Sequence, residues 1–314
     1  MTTSDITEQE LNLNTITRGK ITWVNIERPT RREVDYLGQH YPFHALDLDD
    51  CLSRVQRPKI DEYDEYLFMV FHFPVFHKQA RVTMPSQVSI FIAEDYLVSL
   101  HAGELRPLVT LFKDCQSNEK ARQENMGRST GYLLYRILDR LVNYCFPILY
   151  KIGGNIERVE EAIFGENPRD TVREISVLRR DLISFRRIVK PQLEAVELLE
   201  HSELPIFKED PEVYFGDIAD HLRKIQDSLD DYKEVVEGLY DTNNSLISFR
   251  INQVIRILTI ISVILLPLSL VAGILGMNVW PLPSSNPWVF VAVIVVMVAI
   301  IMAMLSFFRW RRWI

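Results

Sequence analysis

Acidic residues and lysine are missing from the C-terminal part of this chain. From Ile251 to Ile314 there is no Asp, Glu or Lys, and the charges present are Arg256, Arg309, Arg311 and Arg312. With a net charge of −7 for the whole chain and +4 in this tail, the first 250 residues carry −11. An acidic body of that kind excludes nucleic acid as an expected partner, because phosphate binding needs clustered Lys and Arg. Cysteine is scarce too: Cys51, Cys115 and Cys145 are widely spaced and no C-x-x-C occurs. That excludes a zinc knuckle and a disulfide scaffold and fits reduced thiols. The start, "MTTSDITEQELNLN", lacks the basic residues and apolar run of a signal peptide, so the large body is expected to stay in the cytosol. No G-x-x-x-x-G-K-[ST] loop is present, so transport driven by ATP is not expected and ATP is not an expected partner. No H-E-x-x-H or comparable cluster is present either, although His72, His77 and His101 fall on strand-like segments. The chain does not read as an enzyme.

What is present in the tail is length without charge. "ILTIISVILLPLSLVAGIL" covers 257–275 and "WVFVAVIVVMVAIIMAMLSFF" covers 288–308. Each matches the roughly 20 residues that carry a helix across a bilayer core. Arg250 and Arg256 precede the first run, Arg309, Arg311 and Arg312 follow the second, and the connection between them is uncharged. By the positive-inside rule both termini are expected in the cytosol and the connection outside, in an inner, multi-pass membrane location. Trp280, Trp288, Trp310 and Trp313 stand where interfacial aromatic belts are expected.

The body divides by pattern. Residues 20–27, 66–76, 87–93 and 96–101 read as strands, with short helices around 30–40 and 104–117. These give an α+β domain over 1–120. From 121 to 210 the pattern is helical: "STGYLLYRILDRLVNYCFPILYKI" reads as one amphipathic helix and 168–200 as another, with "GENP" between them. Arg179, Arg180, Arg186, Arg187 and Lys190 on the second are either a ligand patch or a solvated face paired with acids.

A third helix is predicted from about 212, without a breaker until Pro267 and entering the membrane near Arg256. Phe215, Ile218, Leu222, Ile225, Leu229, Tyr232, Val236 and Leu239 recur in steps of three and four, a coiled-coil seam. The opposite face holds Asp217, Asp220, Lys224, Asp227, Asp231, Glu234, Gly238 and Asp241. The same phase continues through Ser245, Ser248, Asn252, Ile255, Thr259, Ser262, Leu266, Ser269, Gly273 and Gly276. Polar side chains within a span face protein or water. The two readings are a pore lining and hydroxyls bonded back to their own helix. One hairpin cannot enclose an ion path, so the pore reading requires several copies.

Gly276, Met277 and Asn278 close the first span. With this tripeptide at the outer end of the penultimate span, after a long acidic helix and before a last span ending in "RWRRWI", the sequence resembles the CorA family of magnesium and cobalt channels. "INQVIRILTIISVILLPLSLVAGILGMN" resembles the family's pore helix and "YLLYRILDRLVNYCFPIL" its first long helix. The resemblance implies a funnel-shaped homopentamer with long stalk helices and two C-terminal transmembrane helices. The implied parts are a stalk running into the first span (211–275), an outer loop (276–287), and the last span with its basic tail (288–314). It implies Gly276, Met277 and Asn278 as the selectivity filter. The implied pore lining is Gly273, Ser269, Leu266, Ser262, Leu258 and Ile255, followed by Asn252 and Asp241 toward the cytosol. A ring of Asn278 amides suits hydrated Mg2+, which sheds water reluctantly. Ile255, Leu258 and Leu266 would form a constriction that gates by dewetting.

The sequence departs from the family pattern at three places. The segment after the signature, "VWPLPSSNP", carries no acid, and Leu275 stands where an aromatic is usual. The family's metal site between protomers pairs an acid of the long helix with one of the α+β domain. Asp217 takes the first role, with Asp220 and Asp227 as further candidates, and His77 stands in the second. A His–Asp pair would also suit Zn2+ or Co2+. The expected function is passive conduction of Mg2+, with Co2+ and Ni2+, under cytosolic metal-dependent gating. The alternatives are a zinc or transition-metal transporter of the ZntB type with proton coupling, and a membrane-anchored sensor that conducts nothing. The expected partners are the chain itself as a homopentamer, the lipid bilayer and divalent cations.

Overall fold

The computed structural model describes residues 11–53, 56–165, 168–202, 204–277, 287–311 and 313. It comprises two compact units, Met1–Tyr240 and Asp241–Ile314.

The first unit begins with β1 (Leu13–Arg18), β2 (Ile21–Glu27), α1 (Arg31–His40), α2 (Ala45–Leu52), β3 (Lys59–Glu62), β4 (Leu67–His77), β5 (Val82–Ile92) and β6 (Tyr96–His101). The strands make one sheet in the order β1-β2-β6-β5-β4-β3. Every pairing is antiparallel except β2 with β6. Alternation along the central strands gives the sheet two apolar faces. Val24, Ile26, Phe68, Val70, Phe91, Val98 and Leu100 form one core with Val34 and Leu37 of α1 and Leu48 of α2. Phe43 joins it by stacking on Phe91, with ring centroids 3.9 Å apart.

The opposite face holds Trp23, edge-on to Phe112 of α3 (Arg106–Ser117) at 4.9 Å. A polar chain crosses this face. Trp23 Nε1 donates to Ser99 Oγ at 3.0 Å, Ser99 donates to Asn25 Oδ1 at 2.8 Å, and His101 Nε2 donates to the same oxygen at 3.0 Å. His101 Nδ1 accepts from Gly103 N–H at 3.0 Å, so both ring nitrogens are used by a neutral imidazole. Burial lowers the pKa of this ring to about 4.

Helices α4 (Glu119–Met126), α5 (Thr130–Asn143), α6 (Cys145–Ile163), α7 (Pro168–Glu200) and α8 (Pro211–Gly276) follow. The stretch expected as one helix after Ser129 is two, α5 and α6, broken at Tyr144. Pro147 accounts for the break, since it has no N–H for the carbonyl of Asn143 and so ends the ladder there. Helix α7 is fixed to β5 where the buried Asp181 accepts from Thr83 N–H and Ser184 Oγ donates to the Thr83 carbonyl, each at 2.5 Å. Helices α6 and α8 approach closely at Gly153, where an added Cβ would lie 2.5 Å from Tyr232 Oη.

Helix α8 is unbroken from Pro211 to Gly276, with Pro267 inside it. Within the first unit its seam residues Phe215, Ile218, Leu222, Ile225, Leu229, Val236 and Leu239 are buried and Tyr232 is half-buried. Asp217, Asp220, Lys224, Asp227, Asp231, Glu234 and Gly238 are exposed.

The second unit contains the rest of α8 and α9 (Pro287–Trp310). Among its described residues only Asn243, Ile260 and Phe308 are buried. Both helices are long and apolar enough to cross a membrane, and their most apolar stretches are exposed in the single chain.

Candidate ion path and metal cluster

The residues expected to line a path are on the part of α8 in the second unit. Asp241, Asn252, Ile255, Leu258, Ser262, Leu266, Ser269 and Gly273 are all exposed and Thr259 is half-buried. At 100° per residue, steps of three and four keep them on one stripe. Leu258 and Leu266 are 63% and 69% exposed, large apolar side chains with no cover from their own chain. Such exposure on every side of a helix demands lipid or further protein.

Four hydroxyls on this part of the helix are engaged. Thr259 Oγ1 donates to the Ile255 carbonyl at 2.8 Å and Ser262 Oγ to the Leu258 carbonyl at 2.9 Å. Ser245 and Ser248 do the same to Asp241 and Asn244 at 3.0 and 2.9 Å. Back-bonding and lining are therefore compatible. The hydroxyl proton is spent on the helix, and the oxygen is left with its acceptor lone pairs. A hydrated cation presents water O–H groups outward, so acceptors are what it can use. Pro267 adds another acceptor, because the Val263 carbonyl has lost its helical N–H. Gly276 and Met277 follow the stripe at the helix end, and both are exposed. Asn278 lies outside the described residues, as does the loop to Asn286.

The first unit brings Asp217 into a cluster. Asp139 of α5, Asp217 and His221 of α8 place a carboxylate oxygen each and a ring nitrogen within 4.8 Å of one another. His221 Nδ1 lies 4.0 Å from Asp217 Oδ2 and is buried without a hydrogen-bond partner. The ring is held edge-on by Phe146, centroids 5.8 Å apart. Asp139 Oδ1 accepts from Asn143 Nδ2 at 2.6 Å. Tyr135 has its phenol pKa raised, first by burial and then by the charges of Asp139 and Asp217. Two carboxylates and one imidazole form a mixed oxygen–nitrogen donor set, which accepts Mg2+ weakly and suits Zn2+ or Co2+ better.

The other expected metal residues are placed differently. Asp220 pairs with Arg223 at 2.7 Å, and Asp227 is exposed on the same helix. His77 ends β4, is exposed, and its Nδ1 accepts from Ala80 N–H at 3.2 Å. Within one chain, Asp217 thus meets Asp139 and His221, and His77 is not a member of that group. Sequence reasoning missed Asp139 and His221. The i,i+4 pair Asp217–His221 was a usable signal, whereas Asp139 comes from a distant helix and had none.

Comparison with known proteins agrees with both units. The family model for CorA-like Mg2+ transporter proteins matches residues 18–312. The chain is 29% identical over 296 residues to the cobalt/magnesium transport protein CorA of Thermotoga maritima, covering 93% of this chain and 83% of that one. The structure of the CorA magnesium transporter from Methanocaldococcus jannaschii superposes with a TM-score of 0.84 at 25% identity, over 95% of this chain and 94% of that one. The zinc transport protein ZntB of Yersinia pseudotuberculosis is more distant, 18% identical over 93% of this chain and 88% of its own length. With the family model spanning both the sheet domain and the two apolar helices, this chain belongs to the CorA family of divalent-cation transporters.

Proposed function

We propose that the chain forms a homopentameric channel in the inner membrane that conducts Mg2+, and also Co2+ and Ni2+, down their gradients. The observation that carries this reading is α8: one helix joins a buried seam to an exposed stripe and ends at Gly276, with Met277 next. In this reading the stripes of several copies face one another. The Asn278 amides accept hydrogen bonds from a hydrated ion at the outer mouth. The Ser262 and Thr259 oxygens accept from its water further in, and Ile255, Leu258 and Leu266 form the dry constriction. In this reading both termini are cytosolic, a placement that the arginines flanking the spans support. No step uses covalent chemistry, so the protein is not an enzyme.

Gating in this reading draws on Asp139, Asp217 and His221. Without a cation, two carboxylates this close repel. A divalent ion between them ties α5 to α8 and favours one arrangement of the stalk, to the extent that it binds that arrangement better. Asp220, Asp227 and His77 remain candidate contacts between copies.

A second reading, zinc transport coupled to protons, is favoured by one observation, the imidazole in that cluster, and by the similarity to ZntB. Uptake of 28Mg2+, Ni2+ and Zn2+ into proteoliposomes, with and without a proton gradient, separates the two. Channel behaviour predicts Mg2+ and Ni2+ uptake indifferent to the proton gradient and reduced to the level of empty vesicles by Asn278→Ala with the oligomer intact. Zinc uptake that collapses with the proton gradient would establish the second reading, and no uptake of any ion would leave a sensor.

A further inference from the structure

A cleft of about 460 Å3 lies between α7 and α8 in the first unit and shares no lining residue with the metal cluster. Its lining combines two chemistries. Leu182, Ile183, Pro191 and Leu229 are apolar, while Arg186, Arg187, Lys190 and Lys233 are cationic. Arg186 is committed to Asp230, with its Nε 2.8 Å from Oδ1, and Lys233 is 3.4 Å from Glu237. Arg187 and Lys190 are exposed, and among the described residues neither has a carboxylate within 4 Å. They lie three residues apart, on one face of α7. A second cleft adjoins the first through Ile183 and Arg187 and adds Arg179 and Arg180, the latter donating to the Ala80 carbonyl at 2.8 Å. Among the described residues Arg187 and Lys190 are thus cations without a carboxylate partner beside apolar side chains, in a body with an excess of acid.

We propose that this cleft binds a nucleoside triphosphate. The polyphosphate would lie on Arg187 and Lys190, and the base on the accessible apolar side chains Ile183 and Pro191. The volume is within the range of small-molecule sites. Free phosphate uses the cations alone and leaves Ile183 and Pro191 in water. A neutral nucleoside uses those two side chains alone and leaves the cations unpaired. A ligand that is anionic at one end and flat and apolar at the other satisfies both. The site needs no glycine-rich loop, because side-chain cations take the place of backbone N–H groups. The nucleotide would act as a ligand bridging α7 and α8 and not as an energy source, which revises the expectation that ATP is no partner.

The test is equilibrium binding to the purified full-length oligomer in Mg2+-free buffer, with ATP, inorganic triphosphate and adenosine as separate probes. Saturable ATP binding that weakens with ionic strength is expected, with inorganic triphosphate weaker and adenosine below detection. Arg187→Glu with Lys190→Glu should weaken ATP at least about tenfold at unchanged oligomer size. Ile183→Ser should weaken ATP and leave inorganic triphosphate unaffected. Absence of saturable ATP binding to the wild type, or undiminished binding to the charge-reversed variant, would overturn the site. Equal affinity for ATP and inorganic triphosphate would overturn the nucleotide assignment. Binding is read without flux, so this result stands or falls separately from the transport reading.

Discussion

Helix α8 carries two surfaces on one backbone. From Phe215 to Leu239 its seam residues are buried, with Tyr232 half-buried, and Asp217, Asp220, Asp227, Asp231 and Glu234 face outward. From Phe249 to Leu275 the apolar residues Phe249, Ile251, Val254, Ile257, Leu258, Ile261, Leu265, Leu266, Leu270 and Ile274 are exposed around the helix. The first segment has found its partners within one chain. The second has not, and its burial must come from outside the chain, from lipid or further protein. Stability and transport are therefore expected to separate: substitutions in the first unit act on folding or its ligands, and substitutions on the exposed stripe act on flux.

The largest effect expected in the first unit is acid destabilisation through His101. The ring is 2% exposed, its Nδ1 accepts from Gly103 N–H, and burial lowers its pKa from 6.5 to about 4. The unfolded state binds more protons between these two values. The contribution is full above pH 6.5 and is lost as pH falls toward 4, by about 3 kcal/mol. Denaturant unfolding of the first unit at several pH values, followed by Trp23 fluorescence, should show this slope, and His101→Gln should flatten it. An unchanged slope would show that other groups set the acid limit.

The metal cluster gives the first unit a ligand that the exposed stripe does not share. Divalent cation at about 100 times its dissociation constant should stabilise the first unit by about 2.7 kcal/mol. Asp139→Asn with Asp217→Asn should abolish that gain, while uptake in the absence of cytosolic-side metal persists. A thermal midpoint that rises with Zn2+ or Mg2+ equally in both proteins would remove the cluster from the account.

A packing test comes third. Gly153→Val places methyl groups where Tyr232 Oη already stands 2.5 Å from an ideal Cβ. The expected cost is about 1–3 kcal/mol, the usual penalty of overpacking. A smaller, purely electrostatic effect is expected at the 278–286 segment, which has no acid. Ser284→Glu should raise Mg2+ uptake at low ionic strength and lose the advantage at about 0.5 M salt.

Much of this was legible in the sequence wherever a long period was involved. The seam of α8, the limits of α7 and both apolar helices rest on repeats sustained over many residues. Short elements escaped. Strand β1, "LNTITR", buries only Ile16, and β3 is "KIDE", so each is an edge strand without an apolar run. Helix α2, "ALDLDDCL", is two turns with three acids. Its residues belong there because Leu48 and Cys51 enter the core. Contacts between distant segments escaped as well. Asn25 and His101 are 76 residues apart, and Asp139 and Asp217 belong to helices that nothing in the sequence pairs.

The central claim is that one stripe of α8 faces water and ions while neighbouring positions face lipid. Ser262 and Ile261 are both exposed in the single chain, so exposure alone does not distinguish them. Thiol reactivity does. The native Cys51, Cys115 and Cys145 are buried, and burial raises the pKa of each, that of Cys51 to about 12, so they form a silent background. Mg2+ flux should be measured before and after a cationic thiol reagent in Ser262→Cys and Ile261→Cys. The reagent is expected to block flux in Ser262→Cys and to leave Ile261→Cys and the wild type unaffected. Equal block of both variants, or block of Ile261→Cys alone, would contradict the claim.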